Sequence, residues 1–171
     1  MPTSVLLVAE RAVTYAGTIQ PTPRRVLDVG AGYGKYGVLL REYLDPTPVV
    51  VDGVEAWEPY ITPHKLHGIY RRLHTCRAED LDPAVVAEYD LVVMGDVIEH
   101  MPKPDALAFL DRCPGWVVIA TPVDHFDTGE GLPPTEAHVS HWTVADFAAT
   151  GRLDRHEESY GALIVRLSPK P

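Results

Sequence analysis

Apolar residues recur along this chain in two rhythms. Residues 4–18 place Val5, Leu6, Ala9, Val13 and Ala16 at near-helical spacing, which predicts an amphipathic helix. RRVLDVG (24–30) is a short apolar run and predicts a strand. A helix follows over KYGVLLREYL (35–44), closed by DPTP, and then a buried strand over PVVVDGVE (48–55). Residues 58–68 read as a helix that Pro59 starts and Gly68 ends, and 70–79 holds a third strand of weaker periodicity. YDLVVMGDV (89–97) is a strong strand, PDALAFLDRC (104–113) a helix with proline in its first turn, and GWVVIATP (115–122) another buried strand. TVADFAATG (143–151) is a short helix with Thr143 as N-cap and Gly151 past its end. The tail, 152–168, reads as two strands joined near Gly161.

Strands that alternate with helices, each strand apolar nearly throughout, imply a parallel sheet covered on both faces. The closing strand pair departs from that alternation and adds an antiparallel edge. The expectation is an α/β fold: a doubly wound, mostly parallel, seven-stranded sheet with an antiparallel last strand and helices on both faces. It forms one domain over residues 1–171.

Composition narrows the function. The length of 171 residues suits one domain with a real core. A formal net charge of −9 argues against a broad nucleic-acid or anionic-membrane surface. Arg71, Arg72 and Arg77 are read as a solvated surface patch. The opening MPTSVLLVAE lacks a basic leader and its apolar run stops at Glu10, so it is read as neither signal peptide nor membrane span. Cys76 and Cys113 are far apart and match no metal or redox spacing. Both are read as reduced, buried residues of a cytoplasmic protein.

VLDVGAGYGKYG (26–37) carries four glycines in eight residues between a strand and a helix. Such a loop lets backbone approach a ligand beside a helix N-terminus. Gly32, Gly34 and Gly37 fit the dinucleotide spacing, but Gly30 already ends the strand. The other frame, Asp28, Gly30, Gly32, Gly34, sets an acid at the strand end. That acid would repel a pyrophosphate and suits a ligand with a cationic amino-acid end, met directly or through water. This frame resembles the first motif of class I S-adenosylmethionine (SAM)-dependent methyltransferases, which have a Rossmann-like fold. VVVDGVE, YDLVVMGDVIEHM and GWVVIATP resemble further motifs of that family, in order. The resemblance implies SAM as cofactor, with Asp28, Gly30, Gly32, Gly34, Glu55, Ala56, Glu79 and Asp96 at its site and Glu55 on the ribose hydroxyls. Where the family has an adenine-contacting acid, CRAEDL offers Arg77, and Glu79 or Asp80 stands in for it.

DVIEH brings Asp96, Glu99 and His100 to the end of the fourth strand, on one side if the chain turns helically there. His138 and His141 follow, before the last helix, at the same sheet edge. Two carboxylates and two imidazoles in one cleft suit a divalent metal, Mg, Mn, Fe or Zn. The cluster is similar to the metal site of small-RNA 3′-terminal 2′-O-methyltransferases, in which a later His stands four residues before a Trp-Thr pair, as His138 does before Trp142-Thr143. Coenzyme Q pathway O-methyltransferases carry a similar Glu-His pair. The implied metal ligands are Asp96, Glu99, His100 and His138. Without a metal, His100 or His138 is the candidate general base, with His125 and His141 as second choices.

The segment 122–142, rich in Pro, Gly and acids, is the candidate substrate wall. The expected reaction is O-methylation of a hydroxylated small molecule or sugar. The pocket is either shallow or completed by a second copy in a homodimer. The alternatives are a non-catalytic SAM-binding partner subunit and a nicotinamide-dependent oxidoreductase, which Asp28 disfavours.

Overall fold

The computed structural model describes residues 5–44, 49–124 and 135–171. The chain runs α1 (Leu6–Gly17), β1 (Arg25–Val29), α2 (Lys35–Tyr43), β2 (Val50–Val54), β3 (Leu73–His74), α3 (Pro83–Val86), β4 (Leu91–Gly95), α4 (Lys103–Arg112), β5 (Trp116–Pro122), α5 (Val144–Ala148), β6 (Leu153–Ser159) and β7 (Ala162–Leu167). The strands form one sheet in the order β3-β2-β1-β4-β5-β7-β6. Pairing is parallel from β3 to β5, and β7 runs antiparallel to both β5 and β6. The expected α/β architecture is present, with β7 as the antiparallel strand.

Alternate strand residues feed two cores. Val26, Val93 and Val118 face Val8, Ala12 and Tyr15 of α1 and Leu40 of α2. Their chain neighbours Leu27, Val92 and Ile119 face Phe109 of α4, Phe147 of α5 and Trp142. This period-two division on strands apolar on both faces is what helices on each side of the sheet require. Local chemistry fixes the ends of elements. Thr143 and Asp146 make a reciprocal capping box for α5. Tyr160 and Gly161, with φ of 54° and 75°, turn β6 into β7.

The structure corrects several readings. Residues 58–68 are not one helix: two single 3-10 turns, Glu58–Tyr60 and Leu66–Gly68, flank a bend with Lys65 at φ 53°. Pro63 explains the break, since a proline inside a helix lacks the amide and clashes with the preceding turn. The third strand is only two residues long, and α3, capped by Asp82, was not anticipated. Arg71, Arg72 and Arg77 are exposed, as a solvated surface requires, and each is paired with an acid. Arg71 and Arg72 pair with Asp52, which is fully buried, at 2.6 and 3.3 Å, and Arg77 pairs with Glu79 at 2.5 Å. Cys113 is buried, but Cys76 is half-buried and lines the cleft described next.

Candidate functional site

Strand order reverses between β1 and β4, because β2 lies beyond β1 on one side and β5 beyond β4 on the other. Loops leaving two such strands diverge and open a crevice at their carboxyl ends. Here the loop after β1 has Gly30, Gly32 and Gly34 at φ of 75°, 51° and 80°, a backbone path that side chains resist. A Cβ on Gly30 would also lie 2.2 Å from Val97 Cγ2. The amides of Gly30 and Ala31 both donate to Val54 O at 2.9 Å, tying the loop to the end of β2. Just beyond, Glu55 is clamped by backbone: Gly32 N donates to its Oε2 and Trp57 N to its Oε1, each at 2.7 Å. Burial pushes the Glu55 carboxyl up, and these amides oppose the shift.

The cleft between the loops is lined by Gly30, Gly32, Glu55, Ala56, Glu79 and Asp96 from the candidate cofactor residues. Arg77, His100, Tyr60 and Glu136 line it too. Two candidates do not. Gly34 sits behind, as the N-cap of α2. Asp28 is 1% exposed, and its Oδ2 accepts a bond from the Tyr70 hydroxyl at 2.5 Å. Asp80 is also outside the lining. An aromatic group unanticipated from the sequence stands at the glycine loop. Tyr33 stacks on His64 at 3.9 Å, Tyr60 meets Tyr33 edge-on at 5.6 Å, and the Tyr60 hydroxyl reaches Glu136 at 3.4 Å. The aromatic residue inside the glycine motif was the available signal.

The acid–histidine group has a different shape from the one expected. Asp96 stands before a single 3-10 turn, Ile98–His100, with its own φ at 53°. It therefore does not continue a helical register with Glu99 and His100. Three of the four candidate metal residues converge: Glu99, His100 and His138 each offer a ligand atom, all within 4.8 Å of one another. Asp96 is not in that group. Glu99 is 3% exposed. Its Oε2 accepts from Thr121 Oγ1 at 2.9 Å, while its buried Oε1 has no hydrogen-bond partner. Burial, and secondly the charge of Asp96, push the Glu99 carboxyl up to about 8. His100 Nδ1 donates to Ala137 O at 3.1 Å, leaving Nε2 as the basic nitrogen. Burial lowers the His100 pKa and so favours the neutral ring.

His138 is delivered to His100 by backbone. Val139 N and Ser140 N donate to Glu99 O at 2.8 and 3.0 Å. Trp142 Nε1 donates to Ile98 O at 3.2 Å and to Ser140 Oγ at 2.8 Å. The two imidazole rings end 5.0 Å apart. His141 is exposed and bonds Val123 O at 3.0 Å. His125 and residues 125–134 of the expected substrate wall lie outside the described residues; Thr135 and Glu136 of that wall line the cleft. No helix among the described residues is long and apolar enough to cross a membrane.

Comparison with known proteins agrees with this architecture. A family model for a methyltransferase domain matches residues 6–157. A ubiquinone biosynthesis O-methyltransferase of Bordetella avium (strain 197N) is 32% identical over 117 residues, 62% of this chain and 45% of that protein. Its counterpart in Hydrogenovibrio crunogenus (strain DSM 25203 / XCL-2) is 31% identical over 106 residues, 57% of this chain and 42% of that protein. The chain thus spans less than half the length of these curated relatives. Among solved structures, the N-terminal domain of EvdMO1, crystallised with S-adenosylhomocysteine (SAH) and D-fucose, superposes with a TM-score of 0.69 at 18% identity, covering 98% of this chain and 85% of that one. Magnesium protoporphyrin IX methyltransferase from Synechocystis PCC 6803 with bound SAH gives 0.69 at 17% identity, covering 96% and 83%. At such identities the likeness is one of fold.

Proposed function

Since this chain belongs to the class I SAM-dependent methyltransferase family, with the methyltransferase-domain model covering residues 6–157, we propose that it O-methylates a hydroxylated small molecule or a sugar. The observation that carries this reading is that one cleft joins Glu55 and the glycine loop to His100, beside Glu99 and His138. The relatives that are O-methyltransferases, and the fold neighbour crystallised with D-fucose, support the acceptor class.

In this reading Gly30 and Gly32 bring backbone close to SAM. Glu55, held by two amides, offers its carboxylate to the ribose hydroxyls. Ala56 and Glu79 border the adenine, and Asp28 and Asp96 supply negative charge toward the amino-acid end. The acceptor hydroxyl gives its proton to the neutral imidazole of His100 or His138. Its oxygen then attacks the methyl carbon, the carbon–sulfur bond breaks with its electron pair staying on sulfur, and a methyl ether and SAH result. The protein contributes chiefly alignment.

Glu99, His100 and His138 also fit a divalent cation. Two imidazoles and a carboxylate are a common donor set, and the buried Glu99 Oε1 lacks any other partner. A bound cation would supply the positive charge that this buried carboxyl lacks and would lower the pKa of a hydroxyl beside it.

Calorimetric titration with SAH tests the cofactor site: one-to-one binding is expected, and a folded protein that does not bind would overturn the assignment. Titration with Mn2+ tests the metal. The wild type should bind and His138→Ala should bind at least tenfold more weakly; equal affinities would remove His138 from the ligand set.

A further inference from the structure

Tyr70 lies between the Leu66–Gly68 turn and β3, and is 4% exposed. Its ring occupies a slot left by two glycines on neighbouring elements. A Cβ on Gly37 of α2 would lie 2.5 Å from Tyr70 Cε1, and one on Gly53 of β2 would lie 2.9 Å from Tyr70 Cγ. Both distances are well inside carbon–carbon contact. The last glycine of the GAGYGKYG stretch therefore makes room for a side chain rather than for a ligand. At the end of the slot the Tyr70 hydroxyl donates to Asp28 Oδ2 at 2.5 Å. Asp28 Oδ1 is buried with no hydrogen bond of its own.

We propose that Tyr70 is a positioning residue for SAM binding: its hydroxyl holds the Asp28 carboxylate in place at the end of β1, under the glycine loop. This inference rests on the reading that Asp28 serves the amino-acid end of SAM. Burial raises the Asp28 carboxyl to about 7, and the Tyr70 hydroxyl and the Gly37 amide pull against that rise. The other charged group acting on it is Glu55, at the end of β2, which raises it further. Burial and the Asp28 charge push the Tyr70 phenol far up, so it remains a donor at every working pH. The value of about 7 is reached with that donor in place; without it the carboxyl protonates at higher pH, and at neutrality the attraction for an ammonium group goes with the charge.

The test is SAH affinity between pH 6 and 8, measured by calorimetry on wild type, Tyr70→Phe and Asp28→Asn. Tyr70→Phe keeps the ring in its slot and removes only the hydroxyl. Wild-type affinity should rise through about pH 7. Tyr70→Phe should bind about tenfold more weakly at pH 7, the scale of one hydrogen bond to a charged group, with its rise displaced to higher pH. Asp28→Asn should bind weakly with no rise. A Tyr70→Phe profile that coincides with wild type, or that is lowered uniformly without displacement, reduces Tyr70 to a packing residue. If Tyr70→Phe does not fold, Asp28→Asn still decides: a wild-type rise retained in that variant overturns the proposal. A wild type that fails to bind SAH removes the underlying reading instead.

Discussion

Replacing Arg152 by Met should cost the fold about 3–5 kcal/mol of stability while leaving the cleft intact. Arg152 is 7% exposed. Its Nε donates to Ser168 O at 2.7 Å, Nη1 to Leu110 O at 3.0 Å and Nη2 to Gly115 O at 2.6 Å. One guanidinium thus ties together the last turn of α4, the entry to β5 and the exit from β7. Met has similar length and no donor. Each hydrogen bond to a charged group contributes about 1.5–3 kcal/mol; Leu110 O keeps its bond from Cys113 N at 3.2 Å, so Ser168 O and Gly115 O are the acceptors that lose their partner, at about 1–3 kcal/mol each. Relief of the guanidinium's own desolvation returns several kcal/mol of that sum. The expected net loss is about 3–5 kcal/mol, against a total of about 5–15 kcal/mol for an ordinary domain. Urea unfolding of both proteins, followed by circular dichroism, measures it. The three carbonyls lie at the opposite end of the strands from the cleft, so SAH affinity of the folded variant should stay within about twofold of wild type. A loss under about 1 kcal/mol would refute the reasoning, because it would mean that the carbonyls find equivalent partners without the guanidinium.

Two further outcomes follow from the same kind of bookkeeping. Asp52 is buried, which pushes its carboxyl up, but bonds from Arg71, Tyr89 and the Arg72 amide outweigh that and hold it below its ordinary value. A depressed folded-state pKa gives stability above the unfolded value of 3.8 that is lost as pH falls through the lower one. Asp52→Asn should therefore be less stable than wild type at pH 7, with the gap closing below pH 4 in urea melts; a pH-independent gap would contradict this. Thr143→Ala should lose about 1 kcal/mol by removing the cap of α5, and Thr143→Ser should restore most of it in thermal melts.

The sheet was legible because its central strands are continuous apolar runs bounded by turn residues. Residues 26–29, 91–95 and 116–122 could hardly be anything else. The segment 58–68 was misread because Pro59 and Gly68 were taken as the two ends of a helix while Pro63, inside it, interrupts one. The position of Glu55 was legible as an acid closing an apolar strand, although its two amide partners were not. Asp96 was assigned a helical register that its left-handed backbone denies. Tyr70 and Glu136 were invisible for a different reason. Their partners Asp28 and Tyr60 lie 42 and 76 residues away, and nothing local marks either residue. The solvated surface expected of Arg71 and Arg72 is present, but its shared acid was not legible, because Asp52 lies on β2.

The backbone bonds around His138 have a consequence for how this protein can change. Val123 N is tied to Gly161 O and Val123 O to the His141 ring, while Val139 and Ser140 are tied to Glu99 O. These ties bracket the chain between Asp124 and Ala137 like the two ends of a cassette. Most of them are made by main-chain atoms, which any residue but proline can supply. The side chains of Val123 and Val139 can therefore change while the histidine beside them keeps its anchor. Substitution of those side chains would then leave the pairing of the His138 and His100 rings in place, because the bonds that set it are mostly made by main-chain atoms.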